Sequence, residues 1–287
     1  MLDSWNDGEA KSRIVEFVRA VTIPGDAFVR PEERIATFDN DGTLWCEKPM
    51  YVQADFLLRR LKGMAEAEPE KRGVQPWKAA YEGDRAWLAG MMDHVPELVA
   101  GVTEAYEDIT VGEFEVAVRA FFDTARHPTL GVPYTQVAFR PMLELMELLE
   151  ANGFRVHICS AGGRDFVRVV SEEIYGLLPE RVIGSATTLE YRDGDLYRTR
   201  GIEQPIDEGP GKPVHIWNRT GRKPLIAGGN ADGDAAMLET ASLAILIRHD
   251  DAEREFAYDS GAENALLEAA ERGWIVVSMK TDFAQVF

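Results

Sequence analysis

"ATFDNDGTLW", residues 36–45, decides how this chain is read. An apolar run stops at two carboxylates, Asp39 and Asp41, which bracket Asn40 and are followed by Gly42 and Thr43. The run "RIATF" lacks polar alternation, which predicts a strand covered on both faces. Two acids placed where a buried strand ends ask for a chemical reason.

Working downstream, helical and apolar segments alternate after Pro141. "PMLELMELLEAN" predicts a helix stopped by Gly153. Then follow strand "FRVHICS", helix 164–176, strand "RVIGSA", helix 212–220 and strand "PLIAGG". Helix 234–241, strand "LAILI", helix 262–272 and strand "WIVVSM" complete the series. Continuous apolar strands between helices predict a parallel sheet with helices on both faces. "LEYRDGDLYRT" interrupts the series, because Asp193-Gly194 between short alternating runs is a hairpin signal. Upstream, Ile14, Val15, Phe17, Val18 and Val21 mark a helix over 9–21 that Pro24-Gly25 ends.

Between Pro49 and Pro133 only helical patterns occur. Val52, Phe56, Leu57, Leu61 and Met64 share one face, and Trp87, Leu88, Met91, Met92 and Val95 another. A third helix opens with the capping-box pair Thr110 and Glu113 and carries Phe114, Ala117, Val118, Phe121 and Phe122. These Met and aromatic stripes read as core. The fold expected is α/β: a Rossmann-like, doubly wound, mainly parallel sheet with an inserted α-helical cap and a small β-hairpin flap. The core is assigned to 1–48 and 134–287, and the cap to 49–133.

Composition narrows the function. The 287 residues carry a net charge of −18, which argues against a nucleic-acid partner, since phosphate backbones are bound by clustered Lys and Arg. Cys46 and Cys159 are too few for a disulfide or zinc framework and read as free thiols in a reducing, cytoplasmic setting. The polar start "MLDSWNDGEAKSR" shows no signal peptide, and no apolar run is long enough to span a bilayer. Nothing in the sequence speaks to oligomeric state.

In open α/β sheets ligands gather beyond the carboxyl ends of the strands. There this chain delivers Asp39 and Asp41, then Ser160 with Ala161-Gly162-Gly163, then Gly229 to Asp234, with Lys212 at a helix start. Carboxylates suit a hard cation such as Mg²⁺. A hydroxyl, N–H groups at a helix start and an ammonium suit phosphate. Together they describe a metal-assisted phosphoryl site. Asp39 is assigned as the nucleophile that forms an aspartyl-phosphate. Asp41 protonates the leaving oxygen and then takes a proton from water. Lys212 and the metal offset phosphoryl charge.

The arrangement resembles the haloacid dehalogenase superfamily, in particular its aspartate-nucleophile phosphatases. Asp39 to Thr43 match its first motif, "VHICS" ending at Ser160 its second, Lys212 its third and "GNADGDAAM" (229–237) its fourth. The cap between the first two motifs, the hairpin and "SAGGRDF" resemble the phosphoserine-phosphatase-like branch. The resemblance implies a Mg²⁺-dependent phosphomonoesterase acting on a small phosphorylated metabolite, with the cap closing over the leaving group. It also implies metal bound by Asp39, by the backbone carbonyl of Asp41 and by an acid of the fourth motif. Here the chain departs, because Asn230 stands where that acid is expected. The set carried forward is Asp39, Asp41, Asn230 and Asp234, with Asp232 as an alternative ligand or a turn residue.

Thr43, Ala161, Gly162, Arg164 and Glu47 are assigned to phosphate or substrate, while His157 reads as a core histidine and Lys223 as a lesser rival to Lys212. Two other outcomes stay open. Asn230 admits a degenerate phosphate-ligand-binding protein, and the cap lysines Lys62, Lys71 and Lys78 keep a phosphonatase, besides a phosphotransferase, in view.

Overall fold

Strand β1, Ile35–Phe38, is buried at all four positions, as its uninterrupted apolar run requires. It belongs to a computed structural model that describes residues 2–84, 86, 87, 90 and 94–287. Contacts divide these into two compact units. The first comprises Met1–Pro49, Arg126–Ser185 and Pro205–Phe287, and the second Met50–Ala125 and Ala186–Gln204.

The first unit holds α1 (Glu9–Thr22) and β1, and the second α2 (Val52–Ala67), α3 (Trp77–Glu82), α4 (Val95–Ala105) and α5 (Val111–Thr124). The first unit resumes with α6 (Arg140–Ala151), β2 (Arg155–Gly163), α7 (Arg164–Tyr175) and β3 (Val182–Ser185). The hairpin β4 (Thr187–Arg192) and β5 (Asp195–Ile202) lies in the second unit. The first unit then closes with α8 (Gly211–Thr220), β6 (Ile226–Gly229), α9 (Ala235–Thr240), β7 (Leu243–Asp250), β8 (Ala257–Tyr258), α10 (Glu263–Arg272) and β9 (Ile275–Ser278). Leu88, Met91 and Met92 of the expected helix over 84–95 lie outside the described residues.

β1 is central and parallel to both β2 and β6. β3 extends the sheet beyond β2, and β7 then β9 extend it beyond β6, all in parallel. The two-residue β8 runs antiparallel to β7. The chain thus builds outward from β1 on one side, returns, and builds outward on the other. That reversal leaves the carboxyl ends of β1, β2 and β6 facing one crevice, where α/β sheets bind ligands. One face of the sheet is sealed by Ile216 of α8, Met237 and Leu238 of α9, and Ala265 and Ala269 of α10, packed with Ala227 and Leu246. Completely burying such side chains stabilises by about 1.5–3 kcal/mol each for the larger ones, which makes the strand ends a rigid platform.

In the second unit, Phe56 of α2 stacks on Tyr106 at 5.2 Å and meets Phe114 and Phe121 of α5 edge-on at 6.0 and 5.5 Å. The capping box forms as its residues predict: Thr110 Oγ1 accepts from the Glu113 N–H at 3.1 Å, and Glu113 Oε2 accepts from the Thr110 N–H at 2.8 Å. The hairpin turns through Asp193 and Gly194, both at positive φ (50° and 96°), the geometry that matches the strand twist.

The sequence reading placed this hairpin with the core residues 134–287. The backbone instead ties it to the helices of the second unit, through Asp108 N–H to Arg198 O (3.0 Å) and Arg198 N–H to Ile109 O (2.9 Å). The Arg198 guanidinium lies 3.8 Å above the Phe114 ring, and Arg192 pairs with Asp108 at 2.7 Å. Among the described residues no helix is long and apolar enough to cross a membrane.

Candidate active site

The crevice is built first by backbone. Asp39 donates its N–H to Gly228 O at 2.9 Å, so the end of β1 is pinned to β6. The chain then turns sharply, and Asn40 O accepts from the N–H groups of Thr43, Leu44 and Trp45. Gly42 at φ +78° makes the turn, and a Cβ there would lie 2.1 Å from Asn230 Nδ2. Gly229 is needed for another reason: a Cβ on it would meet Asp234 Cβ at 2.5 Å, so only glycine lets Asp234 fold back over the end of β6.

Onto this backbone the side chains converge. Lys212, buried at the start of α8, donates to Asp39 Oδ1 at 2.5 Å, Asp234 Oδ1 at 2.7 Å and Cys159 O at 2.9 Å. One ammonium therefore joins the ends of β1, β2 and β6. Burial works against its charge, but Asp234 and Asp39 outweigh that and hold its pKa well above the usual lysine range. Burial and the neighbouring Asp234 push the Asp39 carboxyl up, and Lys212 opposes them. Burial also raises Asp41, against the hydrogen bond that Trp45 Nε1 donates to its Oδ1 at 2.8 Å.

Ser160 is fully buried near the end of β2, three residues before Gly163, where its Oγ accepts from the Gly162 N–H at 3.1 Å, leaving its own proton free to donate. Gly162 and Gly163 lead into α7, and a helix start is the kind of backbone that suits anions. Ala161 is exposed and Gly162 half-buried at this turn. Arg164 starts α7 with Nε donating to Asp165 Oδ1 at 3.2 Å.

The fourth motif is divided in its work. Asp234 Oδ2 accepts from the N–H groups of Asn230 (2.9 Å) and Ala231 (3.1 Å), while its Oδ1 takes Lys212, so its oxygens are committed to the protein. Asp232 turns to α10, accepting from the Ala265 N–H and from Asn264 Nδ2, both at 2.7 Å, as a turn residue does. Asn230 is buried, with Oδ1 accepting from Thr43 Oγ1 at 3.1 Å and Nδ2 facing Glu47 Oε1 at 3.5 Å. Glu47 is 6% exposed, and Tyr258 donates its hydroxyl to Glu47 Oε1 at 2.7 Å. Burial pushes the Glu47 carboxyl up, and the Tyr258 hydrogen bond pulls against it. Among the described residues no group of three or more His, Cys, Asp or Glu is arranged to hold a metal ion.

Sequence reasoning missed a second tier. His249, near the end of β7, donates from Nε2 to Gly42 O at 2.8 Å and presents Nδ1 to Glu255 Oε2 at 3.1 Å. Tyr258 stacks on His249 at 4.4 Å. Tyr175 of α7 donates to Asn40 Oδ1 at 2.8 Å. A signal for His249 existed, since it stands near a strand's carboxyl end. Tyr175 and Tyr258 carried none. His157 is buried in β2 with Nδ1 near Arg155 O (3.2 Å), and burial lowers its pKa to about 4. Lys223 lies among the residues lining a shallow surface hollow with Trp217 and Pro224, away from the motif residues.

The family model described as haloacid dehalogenase-like hydrolase matches residues 36–239. A functionally unknown protein from Anaerococcus prevotii has a similar solved structure, at TM-score 0.62 and 17% identity over 98% of this chain and 96% of that one. Another of unknown function, from Bordetella pertussis, gives TM-score 0.55 and 17% identity over 85% and 98%. A phospho-aspartyl intermediate analogue of phosphoserine phosphatase overlaps more loosely, at TM-score 0.42 and 19% identity over 84% and 98%. No curated protein matches by sequence. With the family model covering the motif-bearing strands from β1 through β6, the chain belongs to the haloacid dehalogenase-like hydrolases.

Proposed function

We propose that the protein is a Mg²⁺-dependent phosphomonoesterase acting on a small phosphorylated metabolite through an aspartyl-phosphate at Asp39. The observation that carries this reading is the Lys212 ammonium, held at once by Asp39, Asp234 and Cys159 O with Ser160 at the neighbouring strand end.

Asp39 Oδ1 is fixed by Lys212, and its Oδ2 takes no hydrogen bond among the described residues. A carboxylate placed so attacks phosphorus, and the ester P–O bond breaks as Asp41 passes its proton to the leaving oxygen. Burial keeps that proton on Asp41 to a higher pH than in water, which suits an acid. Water then attacks the phosphorus of the acyl phosphate, Asp41 takes its proton, and phosphate and free Asp39 result. Ser160 and the N–H groups at the start of α7 donate to the phosphoryl oxygens, and Lys212 offsets their charge.

The donors fit a hard cation. Asp39 Oδ2, the Asp41 backbone carbonyl and Asn230 Oδ1 are all oxygens, and Asn230 Oδ1 spends only one acceptor site, on Thr43. A bound Mg²⁺ supplies further electrostatic stabilisation of the transferring group. Asp234 supports this set from behind by fixing Lys212 and the Asn230 backbone.

The test is phosphate release from a panel of small phosphomonoesters with and without Mg²⁺. Release that needs Mg²⁺ and disappears in Asp39→Asn is expected. Silence from the folded wild-type protein across the panel would leave Asn230 as the mark of a ligand-binding, non-catalytic member.

A further inference from the structure

Asn230 carries no charge, yet it stands among the motif residues beside a buried carboxylate that the catalytic scheme leaves unused. Glu47 is 6% exposed, Asn230 4% and Thr43 fully buried, so the three settle their polar groups against one another. An amide has one end that donates and one that accepts. Here Nδ2 faces Glu47 Oε1 at 3.5 Å and Oδ1 accepts from Thr43 Oγ1 at 3.1 Å. Turned over, the amide would set its oxygen against a carboxylate oxygen. Tyr258 holds Glu47 in place by donating to the same Oε1 at 2.7 Å. Tyr258 is itself stacked on His249, which holds Gly42 O at 2.8 Å. Gly42 completes the nest: a Cβ there would strike Asn230 Nδ2 at 2.1 Å and Glu47 Cδ at 3.0 Å.

We infer that Glu47 is a positioning residue which sets the Asn230 amide, so that its oxygen and not its nitrogen is offered as a metal donor. The pairing also accounts for the missing acid. An Asp at 230 would set a second acceptor against Glu47 Oε1, with no N–H to offer it. Asn230 and Glu47 act as one unit: an amide oxygen in front, and behind it the carboxyl group that sets which way the amide faces. This rests on the metal reading given under Proposed function.

The experiment is calorimetric titration of the substrate-free protein with Mg²⁺. Glu47→Gln weakens binding by about 10- to 100-fold, the usual cost of losing a group that orients a metal ligand, while circular dichroism is unchanged. Asn230→Asp restores affinity in the Glu47→Gln background and does far less in the wild type. That non-additivity is the signature, since a merely structural Glu47 would not be rescued by an acid at another position. Tyr258→Phe frees Glu47 without removing it and lowers affinity in the same direction, and it decides the matter if Glu47→Gln does not fold. The inference is overturned if Glu47→Gln binds Mg²⁺ within twofold of wild type, or if the two changes act independently. A wild-type protein that binds no Mg²⁺ overturns the metal reading and this inference together. Wild-type binding with an indifferent Glu47→Gln overturns this inference alone.

Discussion

Replacing Lys212 by Met removes the one cation that Asp39 and Asp234 share while keeping most of the side-chain volume. In the structure that side chain is 1% exposed, and its two carboxylate partners are 10% and 3% exposed. Removing one partner of a buried ion pair strands a charge without solvent, at a cost of about 3–5 kcal/mol. The deficit depends on pH in a definite direction. Burial and Asp234 already raise Asp39, and without the ammonium it rises further. An acid whose folded-state pKa lies above its unfolded value costs stability at high pH, and the cost fades as pH falls through the folded value. Lys212→Met is therefore least stable relative to wild type at pH 8, and the gap narrows at pH 5. Urea unfolding at both pH values, in Mg²⁺-free buffer, reads the effect. Adding Asp234→Asn removes one of the two repelling charges and recovers a large part of the stability, though not activity. A loss below about 1 kcal/mol that is the same at pH 5 and pH 8 would refute the claim that this ammonium holds the two carboxylates together.

Three other outcomes follow from single residues. Asp41→Asn lowers turnover of alkyl phosphates by about 10²–10⁴-fold, because their leaving oxygen needs a proton, and leaves a nitrophenyl ester far less affected; comparing kcat on the two ester types checks it. His157 is held neutral, with its pKa lowered from 6.5 to about 4 first by burial and then by Arg181. Its contribution is present above pH 6.5 and is lost as pH falls toward 4. His157→Gln consequently removes about 2–3 kcal/mol of acid sensitivity from the urea midpoints between pH 7 and 4.5. Thr110→Ala breaks the capping box and lowers stability by about 1 kcal/mol, read as a drop in melting temperature with catalysis at saturating substrate unchanged.

What could be read in the sequence was whatever depends on short spacing. Asp39 and Asp41 follow a four-residue buried strand, Ser160 sits near the end of another, and Asp234 lies five residues after Gly229, so period and position alone expose them. The capping box at Thr110 and the Asp193-Gly194 turn were visible for the same reason. The hairpin's allegiance was not. Its attachment runs through Arg198 backbone groups to Asp108 and Ile109, and backbone pairing of distant segments leaves no mark in composition. The tier behind the site was hidden likewise: His249 reaches Gly42 across 207 residues, and Tyr258 reaches Glu47 across 211. Glu47 was legible as an acid beside the loop, but its burial and its two partners appear only once β8 is laid against β7.

The central claim is covalent chemistry at Asp39. Mixing the protein with a hydrolysed phosphomonoester and Mg²⁺, quenching in acid and mapping peptides by mass spectrometry tests it most directly. The account predicts a phosphoryl group on the peptide containing Asp39, absent from Asp39→Asn and longer-lived in Asp41→Asn. Phosphate release that persists undiminished in Asp39→Asn, with no phosphorylated peptide at any quench time, would contradict it.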